Sequence, residues 1–517
     1  MDGRERIVFT LLSGLALFAI ATFAVVWLRA IAGGPNPVLA AIATALIAAQ
    51  LAVWGMRWAA LPRMIRPVPE PIPEELRVAA VTTFVATHEP LDMLELTLRA
   101  MLAMHGEHDT WLLDEGNDDE TRALCERLGV RHFTRRGIPE HNTPDGTFRA
   151  GSKHGNYNAW LATIGYAEYD VLVAFDPDHV PEPEYLARTL GYFRDPSVAF
   201  VQPPQVYYNP DASFIARGAA EETYAYYSSH LMASYALGHA VVIGSHGAHR
   251  LAALGAVGGL PAHDAEDLYL TMLYRAAGWR GVFVPEILAA GVTPADWFGY
   301  LKQQLRWSRS LIDLKLRVFP RLAGRLGWVE RALNLMHGVY YLRALLLPVG
   351  FAMLALLMLV DLSPHFIAPR PVAAVVGLLI AIGCIDTFRQ RYYLDPRERG
   401  LHWRAVVMQL AKWPVFVLAV WEAVHGRRPP YAITRKAGPP NRRWVLAKTQ
   451  IPLAGFIGFA WIVGRVRNGA LHPTLTAAAA LTVITALVLA WTETWPRPSA
   501  YVPGAYQRWR AGLRSPT

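Results

Sequence analysis

The sequence predicts a membrane protein that carries a soluble α/β domain between its membrane-spanning helices. Three observations point there. The 517 residues are 53% hydrophobic and only 18% charged, with a mean hydropathy of +0.20, more apolar than an ordinary soluble enzyme. Several apolar runs reach the roughly 20 residues needed to cross a bilayer. Between Val78 and Pro285, buried-strand patterns alternate with helical ones, as in a mostly parallel sheet covered by helices.

The chain opens with two apolar runs, Ile7 to Ile31 and Pro37 to Ala59, separated by Ala32-Gly33-Gly34-Pro35-Asn36. The first has no small-residue cleavage site before a polar stretch, so it reads as an anchor rather than a signal peptide. Arg4 and Arg6 precede this hairpin and Arg57, Arg63 and Arg66 close it, which puts both ends of residues 1–67 in the cytoplasm. A proline-rich linker, Pro67 to Pro73, leads into the α/β domain, residues 78–290.

Within that domain Ala79 to Val85 predicts the first strand, and Leu91 to Met104 a helix with Leu94, Leu98 and Leu102 on one face. Trp111-Leu112-Leu113 predicts a short strand ending at Asp114, and Asp119 to Leu128 a helix stopped by Gly129. Val171 to Phe175 is apolar on both faces and predicts a fully buried strand. A helix is expected to start near Pro181, and a further strand covers Val198 to Val201.

After this domain, residues 294–330 predict interfacial helices. Pro294 to Arg317 mixes Trp297, Tyr300 and Leu301 with Lys302, Arg306 and Arg309, too polar to cross and suited to the interface plane. Val339–Val360 and Pro371–Thr387 predict two crossings within residues 333–388, and Ile451–Val466 and Leu471–Trp491 two more within 447–491. The 402–424 segment contains Arg404, Gln409, Lys412 and Glu422. The basic stretches 388–400 and 426–448 on either side both belong in the cytoplasm, so 402–424 is expected to lie in the interface. That gives six crossings and a short cytoplasmic tail, 492–517. The net charge of +9 collects beside apolar runs, which fits a cytoplasmic membrane rim and not a nucleic-acid partner. Cys125 and Cys384 lie in regions of different character and are expected to form neither a disulfide nor a metal site.

Six stretches carry the chemistry. Asp176 and Asp178, separated by Pro177 at the end of a buried strand, suit a divalent cation holding a diphosphate. Ala86-Thr87-His88-Glu89-Pro90 ends the first strand and Asp114-Glu115-Gly116 the second, where polar groups can face a nucleoside. Ser152-Lys153-His154-Gly155-Asn156 offers a lysine for a diphosphate. His263-Asp264-Ala265-Glu266-Asp267 puts acids at a helix start, where one can act as a general base. Gln303 and Trp307 share a helix face, an amide and an indole platform suited to a sugar, with Arg306 beside them. Each has an ordinary reading too: a surface turn, a capped helix, a solvated lysine, or a tryptophan at the headgroup level.

Taken in order, these motifs resemble the membrane-embedded family 2 glycosyltransferases, most closely bacterial cellulose-synthase-type enzymes. Val201-Gln202-Pro203-Pro204, Gly244-Ser245-His246 and the loop Tyr431-Ala432-Ile433-Thr434-Arg435-Lys436 (within 427–440) also match in place. The resemblance implies a GT-A-type, Rossmann-like cytoplasmic domain. It implies Asp267 as catalytic base and Asp176 and Asp178 as ligands of Mg²⁺ or Mn²⁺. Thr87, Glu89, Asp114, Lys153, Gln303, Arg306 and Trp307 would bind the UDP-sugar donor or the acceptor, and Thr434 and Lys436 would touch the nucleotide from a closing loop. The implied activity is processive, inverting polymerisation of glucose from UDP-glucose into a β-glucan. The growing polysaccharide would pass through the bilayer at the inner (plasma) membrane, with Trp307, Tyr340 and Tyr341 as candidate acceptor platforms.

The pattern departs from cellulose synthases in places. Ala265 precedes Glu266-Asp267 where threonine is usual, Gln303-Gln304-Leu305-Arg306-Trp307 lacks the usual glycine, and Thr87-His88 precedes Glu89. The tail is expected to be too short for a PilZ-like regulatory barrel. An alternative is a non-processive enzyme that adds one sugar to a lipid or glycan, or a polymerase using another donor such as GDP-mannose. A transporter or structural membrane protein with an inactive domain is the reading from a different class. The linkage, an oligomeric state and an export partner are left open.

Overall fold

Seven strands build the main sheet: β1 Val78–Phe84, β2 Asp109–Asp114, β3 Arg131–Phe133, β4 Val171–Phe175, β6 Val198–Gln202, β8 His246–Arg250 and β9 Arg280–Phe283. A small sheet adds β5 Val180–Pro181, β7 Val206–Tyr207 and β10 Ala289–Gly291. This is a computed structural model, and it describes residues 1–32, 34, 36–343, 345–360, 362, 364–427, 444–495 and 499–514. Thr434 and Lys436, and with them the expected closing loop, lie outside the described residues.

The chain divides into two units. The α/β unit comprises Met64–Gly338, Leu418–Asn441 and Arg497–Thr517. Its main sheet runs β3-β2-β1-β4-β8-β6-β9, parallel from β3 to β4 and again between β6 and β9. The sheet is mostly parallel, as expected, and β8 alone runs against it, antiparallel to both β4 and β6. The segment His246-Gly247-Ala248-His249-Arg250 lacks the apolar run of a central strand. It pairs on both sides, with β4 and β6, and Gln202 adds a bond to the His246 carbonyl at 2.6 Å while accepting from the Ile243 amide just before the strand at 2.8 Å. Helices cover the sheet, and Phe84, Leu98, Leu112, Val173, Phe175 and Leu186 share one core.

Pro181 starts no helix. It sits in β5, an edge strand of the small sheet where its missing N–H costs no ladder bond, and the helix begins at Tyr185. The expected 294–317 helix runs Trp297–Asp313, capped by Asp296, and continues as a π-helical turn, Leu314–Val318. Ser152 caps helix Lys153–Trp160 by accepting from the Gly155 amide at 3.1 Å. Only glycine fits at 155, because a Cβ would lie 2.3 Å from the Arg149 carbonyl oxygen.

The second unit comprises Met1–Arg63, Val339–Val417 and Arg442–Pro496. Phe23, Trp27, Leu357, Met358, Ile457 and Leu475 belong to its apolar core. Among the described residues six helices are long and apolar enough to cross a membrane. They are Gly3–Ala32, Pro37–Arg63, Pro369–Tyr392, Trp403–Val424, Ala447–Asn468 and Pro473–Thr492. The chain is a multi-pass membrane protein with a soluble catalytic-type domain. Counting the bent pair Trp328–Leu342 and Leu346–Leu359 as one span gives seven. Val339–Val360 forms two helices, Val339–Arg343 and Leu346–Leu359, whereas Trp403–Val424 is continuous. Two of the polar residues that suggested an interfacial helix form bonds within the unit: Lys412 donates to the Tyr340 hydroxyl, which donates to Gln409 at 2.7 Å.

Candidate active site

The parallel half of the sheet brings three predicted motifs to one edge. Phe84 at the end of β1 pairs with Asp114 at the end of β2, and Thr82 pairs with Phe175 at the end of β4. Thr87 and Glu89, Asp114, and Asp176 and Asp178 all follow these strand ends, the place where open α/β sheets bind ligands. Glu89 accepts from the Val85 amide at 3.0 Å and so closes its turn, while the Thr87 hydroxyl lies 2.7 Å from His88 Nδ1.

Asp114 is fully buried. Its carboxylate accepts from the Gly116 and Asp118 amides at 2.9 and 2.8 Å, and His132 Nε2 lies at 3.2 Å. Burial raises its pKa, but these partners outweigh burial and hold it below the usual aspartate value. Asp114 thus shapes the Glu115–Asp118 loop from within. The neighbouring Glu115 takes a bidentate bond from Arg135, which also donates to the carbonyls of His141, Phe148 and Arg149. Arg135, which the sequence did not single out, ties together the loop that leads to Lys153.

The ligand atoms of Asp176, Asp178 and His179 lie within 4.8 Å of one another, the one such group of three among the described residues. Asp178 is 1% exposed, its Oδ2 accepting from the Val292 amide at 3.2 Å. Asp176 is partly exposed and pairs with the Lys153 ammonium. Two carboxylates and an imidazole converging on one point fit a hard divalent cation such as Mn²⁺ or Mg²⁺. The ammonium resting on Asp176 shows that positive charge is favoured there. Burial disfavours the charge on Lys153, yet Asp176, helped by Glu266, more than offsets it and raises its pKa.

Gly244 joins this group to the second acidic pair. Its carbonyl accepts from Lys153 Nζ at 2.5 Å, and its amide donates to Asp267 Oδ2 at 3.1 Å. The Leu268 amide donates to Asp267 Oδ1 at 2.8 Å. Helix Glu266–Ala276 begins one residue earlier than Asp267, so Glu266 and Asp267 both sit in its first turn. Burial, with the adjacent Asp267 carboxylate, pushes Glu266 up to about 7, and burial raises Asp267 as well. Two carboxyl groups that resist ionisation, beside a lysine, are an arrangement suited to proton transfer near neutrality.

Gln303, Arg306 and Trp307 are half-buried on helix Trp297–Asp313, and the Arg306 charge acts on Glu266. Asp264, which the sequence left without a role, accepts from the nearly buried Arg309 at 2.7 Å and pairs with Arg149 at 3.6 Å. It thereby connects the loop before Lys153, the acidic loop and the Gln303–Trp307 helix. Its place three residues before Asp267 was legible; its partners, far away in sequence, were not.

The sequence model described as "Glycosyltransferase like family 2" matches residues 79–310. The cellulose synthase catalytic subunit [UDP-forming] of Pseudomonas fluorescens (strain SBW25) is 26% identical over 432 residues, covering 80% of this chain and 54% of that protein. The corresponding subunit of Xanthomonas axonopodis pv. citri (strain 306) is 27% identical over 294 residues, covering 52% of this chain and 38% of that one. The chain thus spans about half or less of the length of these curated relatives. A mannosyltransferase from Pyrobaculum calidifontis, solved in complex with GDP-Man and Mn²⁺, gives a TM-score of 0.49 at 18% identity over 76% of this chain and 100% of that one. Residues 79–310, with their sheet and the acidic group at its edge, are thus similar to family-2-like glycosyltransferases, in a chain with membrane-length helices that is similar at low identity to cellulose synthase catalytic subunits.

Proposed function

We propose that the protein is a metal-dependent, inverting hexosyltransferase that moves one sugar from a nucleoside diphosphate donor to a lipid or glycan acceptor at the cytoplasmic face of the membrane. The observation that carries this reading is the link through Gly244, which joins the Asp176–Lys153 pair to Asp267 within one partly buried acidic site. Asp176, Asp178 and His179 would hold a divalent cation, which when bound neutralises the diphosphate of the donor. Lys153, and Arg306 beyond it, add positive charge where the departing nucleoside diphosphate gains negative charge. Asp267, fixed by the Gly244 and Leu268 amides, takes the proton of the acceptor hydroxyl. The new bond forms between that oxygen and the anomeric carbon while the bond from this carbon to the phosphate oxygen breaks, inverting an α-linked donor to a β-glycoside. Thr87 and Glu89 flank the edge where the nucleoside would bind, with buried Asp114 shaping the loop beside it, and Gln303 and Trp307 offer a polar and a flat surface to the acceptor.

A second reading, processive β-glucan synthesis from UDP-glucose with export of the chain, is favoured by the names of the curated relatives. Purified protein supplied with Mn²⁺ and UDP-glucose, GDP-mannose or a UDP-amino sugar in turn, followed by sizing and linkage analysis, separates the readings. A single added sugar is expected; a long polymer from UDP-glucose establishes the second. Chelation of divalent cations should abolish transfer and Mn²⁺ restore it. Full transfer in the presence of chelator, or no transfer from any nucleotide sugar, overturns the proposal.

A further inference from the structure

Both deeper members of the acidic group are seated on β10. The Val292 amide, one residue past that strand, donates to Asp178 Oδ2 at 3.2 Å. Gly291 lies flush beneath His179, since a Cβ there would come within 2.2 Å of the imidazole. The turn Asp176–His179 runs directly into β5, which pairs with β10 through Ala289↔Pro181 and Ala290↔Val180. Glu182, the next residue, donates its amide to the Leu288 carbonyl at 2.8 Å. These strands are two and three residues long, too short to hold their geometry by pairing alone.

A distant segment covers them. Residues 499–514 pack onto the small sheet through helix Ala505–Arg514. Tyr506 lies in an apolar cluster with Val180, Tyr208, Ala290 and Val292, its ring edge-on to Tyr208 at 5.7 Å. Glu182 receives the Tyr506 hydroxyl on Oε1 at 2.8 Å, and Arg510 Nε and Nη2 on Oε2 at 3.0 and 2.8 Å. Asn209 secures the near end, donating to the Ala500 carbonyl at 2.9 Å and to the Thr293 carbonyl at 2.8 Å.

The geometry points to a clamp: Glu182, Tyr506 and Arg510 are positioning residues that press β5 and β10 together and so set the spacing of Asp178 and His179 for a divalent cation. The inference rests on the reading of Asp176, Asp178 and His179 as a cation site, and goes beyond it by giving the 499–514 segment a function in that site. Loosening the clamp leaves every ligand side chain in place but releases the Val292 amide and the seat of His179. Loss of such outer partners weakens metal affinity by about 10- to 100-fold.

The test is a titration of the purified full chain with Mn²⁺ alone, free Mn²⁺ being read by electron paramagnetic resonance and thermal unfolding being recorded in parallel. Tyr506→Phe combined with Arg510→Gln should raise the Mn²⁺ concentration at half-saturation about tenfold. Tyr506→Phe alone keeps the ring and should give a smaller rise, and Arg510→Lys should recover part of the affinity lost in Arg510→Gln. If the variants melt at lower temperature yet bind Mn²⁺ as the unaltered chain does, the segment is only a structural brace and the clamp is overturned. No Mn²⁺ binding by the unaltered chain overturns both the clamp and the cation site beneath it.

Discussion

The two units bury a lysine in opposite ways. In the α/β unit Lys153 meets a full opposite charge, Asp176, and a carbonyl, that of Gly244. In the membrane-type unit Lys412 is completely buried and meets the Tyr340 hydroxyl, the Tyr340 ring with its centroid 4.9 Å away, and the Phe416 ring at 5.6 Å. A charge held by a charge can be exchanged when a cation or a phosphate arrives, because the newcomer replaces one strong interaction by another. A charge resting on a hydroxyl and aromatic faces holds those groups in place. The pair teaches that a lysine can serve exchange in one setting and packing in another. Tyr340 and Tyr341, candidate acceptor platforms by sequence, are half-buried and meet Phe416 edge-on in this cluster, at 5.9 and 5.0 Å.

If this contrast is right, chemistry depends on the charges of the α/β unit and hardly at all on Lys412. Asp267→Asn sets the upper end: turnover should fall by about 10³-fold, in the range of a lost general base, while nucleotide binding measured by calorimetry persists. Unchanged turnover would remove Asp267 from its proposed role.

Lys153→Met probes the exchangeable lysine itself. It leaves Asp176 with an uncompensated charge and takes a cation from the departing diphosphate, so kcat/KM for the donor should drop by about 10²-fold. A drop no larger than that of Lys412→Met would erase the distinction between the two lysines.

The acid limb of the pH profile gives a smaller effect. Glu266 is pushed up to about 7 and Asp267 is raised by burial, so both keep their protons further into the neutral range than free carboxyls do. A base must be ionised, so burial of Asp267 should bring the acid-side fall in transfer at a pH above that of a free aspartate, and Glu266→Gln should remove the ionisation near pH 7 from the profile. Stability runs the other way. The folded state holds the Glu266 proton more tightly than the unfolded state does, so this contribution is full below the ordinary value of 4.5 and is lost as pH rises through about 7. Denaturant unfolding of Glu266→Gln across that window should show a flatter profile.

Lys412→Met should do least: turnover within about twofold of the unaltered chain and no fall in melting temperature, since an apolar side chain of similar length replaces a buried charge. A large loss of activity with intact folding would mean that the membrane unit takes part in chemistry, and would break the comparison.

What the residues declared by themselves is local. β4 at Val171–Phe175 and the helix Asp119–Leu128 were legible to the residue, because an unbroken apolar run and a capped amphipathic stretch each encode their own geometry. The acids at the strand ends were legible for the same reason: a residue next to a strand terminus must face the sheet edge. Tertiary structure alone decided the rest. β8 pairs antiparallel in the middle of the sheet although its own sequence does not read as a strand, because β4 and β6 offer it a backbone ladder on both sides. Asp264 gained Arg149 and Arg309, Gly244 came to join Lys153 to Asp267, and Glu182 met Arg510 from the far end of the chain. Periodicity reports which face of an element is buried; it is silent on which distant side chain arrives there, since that depends on long-range packing and not on any neighbour within a turn or two.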